Sequence, residues 1–325
     1  LNSGYNGWGR GFEDFTWKDI HDSAVASNVL LVDGENHLEK GADGVVESLL
    51  ADGFGYVCGR ASRAFEGTTA HNRSFAFVHP QDGAPGWFFL VDEVENPGQR
   101  LNVALHPASA DVSTDIPDEA YTWKIRRRKP TDTYLTIHLA TSPSAVEMRD
   151  GPLTGHSQSF IGKYLYATYP ASGHRASVLT LLLPHDDDHP RPAITRLSVG
   201  DVSAARLEHA SGASDIIASA ASERSHETEG AEWDGRSMLY RRINDTLAFA
   251  FLRLGTRFQW QNTGFESDRP VSLLLSESNV SLTSAGGCQI TFRSPNLQSI
   301  LVDGLDAEST TVELRPGSHT LSLIS

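Results

Sequence analysis

Trp87-Phe88-Phe89-Leu90-Val91 is the stretch on which the fold turns. Five large apolar residues in succession, with Asp82-Gly83 ahead of them, make a run of strand length, rich in aromatic side chains. Comparable runs recur at residues 28–32, 75–78, 133–139, 178–183, 247–252 and 271–275. Asp33-Gly34, Asp150-Gly151 and Asp303-Gly304 are turn dipeptides of the kind that follow strands. A sustained apolar period of about 3.6 residues is nearly absent. Residues 203–210 read as the best helix, and residues 215–222 read as helix or strand. The chain is therefore expected to be all-β.

Composition shifts along the chain suggest its organisation. Residues 209–230 are rich in Ala, Ser, Glu and His and poor in large apolar side chains. They are read as part of a connector, residues 206–234, between two sheet domains. A large antiparallel β-sandwich is expected over residues 1–205 and a smaller C-terminal β-sandwich over residues 235–325.

The balance of 27 Lys+Arg against 41 Asp+Glu, a net charge of -14, argues against a nucleic-acid partner, which needs cations to neutralise phosphates. No apolar run approaches the roughly 18–20 residues of a transmembrane helix, so no membrane partner is expected. Cys58 and Cys288 are the only cysteines, which leaves one long-range disulfide open. The opening Leu1-Asn2-Ser3-Gly4-Tyr5 reads like the middle of a longer protein.

Three stretches could carry chemistry. Tyr5-Asn6-Gly7-Trp8-Gly9-Arg10-Gly11-Phe12, followed by Phe15 and Trp17, sets aromatic rings among glycines. Such rings stack on the apolar faces of sugars, while Asn6 and Arg10 supply directed hydrogen bonds; a core-covering loop is the alternative. His185-Asp186-Asp187-Asp188-His189 has metal-ligand chemistry, but adjacent residues of an extended segment diverge, and a solvated turn fits better. Lys124 to Lys129 is the only dense positive patch, suited to an acidic polysaccharide or to a plain strand end. His71, His79, His106 and His138 lie in or beside strands.

The stretch Ala26-Ser27-Asn28-Val29-Leu30-Leu31-Val32-Asp33-Gly34 resembles a segment of the heparinase II/III-like polysaccharide lyases. The order of the segments after it is similar too. Gly55-Tyr56-Val57-Cys58-Gly59-Arg60 comes first, then His71-Asn72-Arg73-Ser74-Phe75, then Trp87 to Val94, with His106 after it. The resemblance implies a supersandwich-like sheet domain that follows an N-terminal α/α toroid, and a secreted or periplasmic location. It also implies β-elimination on an acidic polysaccharide or oligosaccharide. By the same resemblance Tyr5 is the first candidate for catalytic base and acid, and His21 the second. Asn6, Trp8, Arg10 and Trp17 are the expected substrate-binding residues. Two further classes stay open: a non-catalytic carbohydrate-binding or scaffold module, and a β-sandwich glycoside hydrolase, which would need two facing carboxylates.

Two departures bear on the cofactor. Family members hold a metal, commonly zinc, through an Asp where this chain has Asn2 and a His where it has Ser27. Neither replacement is a comparable ligand, so no metal cofactor is expected. Elemental analysis after chelator-free purification should find no stoichiometric zinc. One tightly held zinc per chain would mean that other side chains compensate, with His21 and His37 the first suspects.

Overall fold

The computed structural model describes residues 24–38, 42–66, 69–107, 109–115, 119–125, 132–152, 161–295, 297–302, 304–307 and 309–324. Three antiparallel sheets account for nearly all of them, as the all-β reading expected. The first has the order β1 (Val29–Val32), β6 (Arg100–Leu105), β11 (Ile161–Pro170), β10 (Ala145–Pro152). The middle sheet runs β2 (Ala42–Ala51), β3 (Phe54–Ala61), β4 (Ala70–Val78), β5 (Trp87–Glu95), β12 (Arg175–Asp186), β9 (Thr133–Leu139), β8 (Ala120–Ile125), β7 (Val112–Asp115).

The third sheet begins β13 (Ala193–Arg196), β14 (Val202–Glu208), β15 (Ala213–Ala220), β18 (Ser237–Ile243). It continues through the long hairpin β19 (Thr246–Trp260) and β20 (Thr263–Ser276). Beyond the hairpin come β21 (Asn279–Ser284), β26 (Gly317–Ile324), β23 (Ser299–Val302) and β24 (Leu305–Asp306). At the hairpin's closed end, β17 (Ala231–Trp233) and β16 (His226–Thr228) join β19, while β22 (Cys288–Arg293) and β25 (Thr311–Leu314) join β20.

The sheets stack, which explains why the apolar run from Trp87 to Val91 is unbroken. Leu90 faces the first sheet and packs with Leu101, Val103 and Leu165. Trp87, Phe89 and Val91 face the third and pack with Ile217, Leu239 and Phe251. A strand covered on both faces loses the polar half of its alternation.

The same cause corrects the helix expected within residues 203–222. These residues form most of β14 and all of β15, and the third sheet is itself covered twice. Ala204, Ile216 and Ala218 enter its own core, while Ala205 and Ile217 enter the layer shared with the middle sheet. Alanine favours helices when nothing else decides, but here two apolar layers decide. The stretch read as a connector, residues 206–234, carries β15, buried at every position, together with β16 and β17. Cys58 and Cys288 are both free, buried in different layers.

Two features fix how the third sheet lies. The β19–β20 register shifts between Leu252 and Arg257, and the hairpin bends there. A Cβ on Gly255 would meet the Asp234 carbonyl oxygen at 2.6 Å, so only glycine fits the bend. Asp234 holds it, accepting from the backbone N–H of Thr256 at 2.5 Å and of Arg257 at 2.9 Å. Curled in this way, the sheet brings Phe258 and Trp260 back onto Tyr240.

The second feature is a buried ion pair. Asp215 on β15 accepts from Arg241 Nε at 2.6 Å and Nη2 at 2.7 Å, with both side chains fully buried. His209 Nε2 lies 2.9 Å from the same carboxylate, and Trp87 Nε1 donates to it across the layer at 2.7 Å. Burial alone would raise the Asp215 carboxyl; the hydrogen bonds and charges of Arg241 and His209 outweigh it and hold the pKa below its ordinary value. Arg241→Met should therefore cost about 3–5 kcal/mol in urea denaturation, because Asp215 stays buried with its main partner gone. Arg241→Met with Asp215→Leu should recover much of that loss. Equal losses in the single and double variants would show that shape, not charge pairing, governs the contact.

Candidate functional site

Tyr5, Asn6, Trp8, Arg10, Trp17 and His21 lie outside the described residues, as does Asn2. Ser27 is described, and its N–H donates to the Ala24 carbonyl at 3.1 Å, closing the 3-10 turn Ala24–Ala26. The His185–His189 stretch is the end of β12 and the bend that follows it, where Asp186 Oδ1 accepts from the backbone N–H of Asp188 and of His189. Among the described residues no three His, Cys, Asp or Glu side chains are grouped to hold a metal ion. Lys124 pairs with Asp132 at 2.5 Å, and residues 126–129 of the basic patch lie outside the described residues.

Of the strand histidines, the structure draws His71 and His106 toward one place. Alternation on β4 and β5 turns His71, Arg73 and Asp92 to the face that meets the first sheet. Asp92, buried, accepts from Arg73 Nε at 2.6 Å and Nη2 at 2.9 Å and from His71 Nε2 at 2.7 Å. Burial would raise the Asp92 carboxyl, but the Arg73 charge and the His71 hydrogen bond hold it well below the usual carboxylate range. The neutralised pair then holds Asn28: Arg73 Nη1 donates to its backbone carbonyl at 2.5 Å. Asn28 Oδ1 in turn accepts the His106 backbone N–H at 2.6 Å.

His106 is thereby set at the end of β6, on the outer face of the first sheet. Its Nε2 donates to the Val25 carbonyl at 2.7 Å, which leaves the lone pair on Nδ1. Burial lowers its pKa, so the ring is neutral at pH 7. It stacks on Tyr164 of β11, with centroids 4.4 Å apart and planes 13° from parallel.

Tyr164 lies opposite Arg149 of β10, and the arginine donates to its hydroxyl. Burial pushes the Tyr164 phenol up in spite of Arg149, so it stays protonated. The guanidinium rests 3.6 Å above the Tyr166 ring and is fixed by Glu147 at 2.8 Å. Gly151 faces Gly162 beside this group, and a Cβ there would press on the Tyr164 ring at 3.0 Å. The outer face thus combines a neutral imidazole, a protonated phenol and a half-exposed cation. Such a set can accept a proton, donate a hydrogen bond and neutralise a carboxylate.

His79 and His138 stand apart from it. His79 packs on Phe77, and His138 is buried in β9. Sequence reasoning noted His106 but missed Tyr164 and Arg149. The one local signal was the alternation Tyr164-Leu165-Tyr166, which puts both phenols on the face opposite buried Leu165.

No family model matches the chain, and no curated protein does. Solved structures do. A heparinase III gene product superposes with a TM-score of 0.52 at 11% identity, over 67% of this chain and 34% of that one. Heparan sulfate lyase HepC from Pedobacter heparinus superposes with a TM-score of 0.51 at 12% identity, over 69% of this chain and 35% of that one. The chain spans about a third of the length of these lyases and shares the fold of that part.

The histidines also set a pH dependence. His37, whose Nε2 donates to the Leu30 carbonyl, and His106 both have pKa values lowered from 6.5 by burial. The unfolded chain therefore binds their protons first, so their contribution is complete above pH 6.5 and fades as pH falls through the lowered values. Asp92 and Asp215, held below 3.8, lose their contribution only in stronger acid. The urea midpoint should drop between about pH 7 and pH 5, and His106→Gln should flatten part of that drop. An unchanged slope in His106→Gln would show that His106 does not titrate there.

Proposed function

We propose that this chain is the β-sheet portion of a polysaccharide lyase that cleaves uronic-acid-containing glycans by β-elimination, working with an α/α toroid. The observation that carries the reading is neutral His106 stacked on the Tyr164–Arg149 pair, in a fold shared with part of the heparinase III and heparan sulfate lyase structures.

In this reaction a base removes the C5 proton of the uronate. The C5 electron pair forms the C4–C5 double bond, the C4–O4 bond breaks, and an acid returns a proton to O4. A cation must first quiet the uronate carboxylate, so that the carbanion's charge can spread onto it. Arg149 and Arg10 are suited to that task. Tyr5 is the first candidate for base and acid; His21 follows, and His106 Nδ1 is a further acceptor. Trp8 and Trp17 would stack on sugar rings and Asn6 would bond a carboxylate or hydroxyl.

A second reading is a non-catalytic carbohydrate-binding or scaffold module. It is favoured by Asn2 and Ser27, which stand where family members carry metal ligands.

One experiment separates the two. The chain joined to its toroid is offered uronate polymers, and the ultraviolet absorbance of unsaturated uronate is followed. Tyr5→Phe should lower turnover by about 100-fold or more while binding stays nearly intact, since only the hydroxyl is lost. Trp8→Ala should weaken oligosaccharide binding several-fold. Full activity in Tyr5→Phe would remove Tyr5 from the mechanism. Binding without any unsaturated product would establish the module reading instead.

A further inference from the structure

The bend of the β19–β20 hairpin has a second effect. Around Leu254 and Pro270 the third sheet lifts from the middle one and opens a cavity of about 590 Å³ between them. Leu254 itself takes a φ of 48°, with its N–H donating to Ser272 Oγ at 3.1 Å. The cavity continues the layer that holds Phe89 and Val91, so it lies on the opposite face of the middle sheet from His71 and Asp92. His106, Tyr164 and Arg149 are one sheet further away.

Its walls carry charged side chains, which the apolar cluster it continues does not. Arg60, Asn72 and Glu93 are direct neighbours across β3, β4 and β5 and form one wall. Arg253 and Arg269 come from the hairpin opposite. Arg253 is spent internally: buried, it pairs with Glu93 and, at 3.2 Å, with Glu47. Arg60 is loosely held, 3.6 Å from Glu95 and 3.7 Å from Asp43.

Two groups have nothing to hold. The Asn72 residue is 9% exposed, yet among the described residues its side-chain amide makes no hydrogen bond. Arg269 is exposed at the mouth, and among the described residues its guanidinium forms no ion pair. An amide that opens into a cavity of ligand size without a protein partner offers both a donor and an acceptor to a polar ligand.

We infer that this cavity is a binding site for an acidic saccharide, separate from the outer-face constellation and independent of whether the chain takes part in catalysis. The choice of ligand follows from the mixture of charges. A bare anion would meet Arg269 and Arg60 but also the carboxylates of Glu93 and Glu95. A sugar unit bearing one carboxylate or sulfate satisfies both: its anionic group meets Arg269 with Arg60, and its hydroxyls donate to the Glu95 carboxylate and bond the Asn72 amide.

Isothermal titration of the whole chain with a glucuronate-containing disaccharide tests this, with neutral cellobiose and inorganic sulfate as comparisons. Arg269→Ala, at an exposed position, and Asn72→Ala, verified by an unchanged melting curve, should each weaken disaccharide binding roughly tenfold. Arg293→Ala, at an exposed position that belongs to neither group, should leave it unchanged, and cellobiose should bind far more weakly. Loss of binding in Arg149→Ala but not in Arg269→Ala would put the saccharide on the outer face and overturn the cavity site. Sulfate binding as tightly as the disaccharide, with the same dependence on Arg269, would overturn the saccharide assignment. No disaccharide binding by the unaltered chain would overturn the proposal outright.

Discussion

The Asp215 carboxylate is the most deeply buried charge at which the two larger sheets are tied. Arg241 grips it from a neighbouring strand of the same sheet, His209 from the end of β14, and the Trp87 indole from β5 of the other sheet. A buried ion pair adds little net stability, because the cost of removing two charges from water nearly equals their attraction. What it imposes is placement. A packing that separates β15 from β18 strands a charge in an apolar layer, and one that separates Trp87 from β15 leaves a buried indole N–H unpaired, so competing stackings are higher in energy. The apolar side chains around the pair supply the driving force, and the pair selects which arrangement they drive toward.

Much of the architecture was legible in the sequence, and the exceptions have one cause. Trp87 to Val91 and residues 178–183 announce strands because large apolar residues crowd into strand-length runs. Residues 203–222 did not announce themselves. Their apolar positions are Ala, Ile and Leu without alternation, as expected of strands covered on both faces, and the same pattern fits a short buried helix. Only the pairing of β14 and β15 with each other and with β18 settles the matter, and pairing is not written locally.

The candidate site divides in the same manner. His106 was visible as a histidine following a strand. Arg149 and Tyr164 are fifteen positions apart and become neighbours only through the β10–β11 register, and neither carries a local motif. The link from Arg73 and Asp92 through Asn28 to His106 spans residues that no spacing rule connects. Arg269 and Asn72 meet at one cavity because a glycine-dependent bend in a hairpin far along the chain moves one sheet off another. The candidate sites are thus assembled from contacts between strands, while single strands carry only the information for burial.

Asp92 and Glu93 show how far that assembly is policed. They are consecutive on β5, both buried, and they point to opposite faces: one to Arg73 beneath the first sheet, the other to Arg253 beneath the third. A slip of β5 by one residue would turn each carboxylate to the other layer, away from its guanidinium. Apolar strands slide cheaply when both sides are greasy, and β5 is apolar for most of its length. The adjacent carboxylates work like a key cut on both edges, which enters its lock at one depth only.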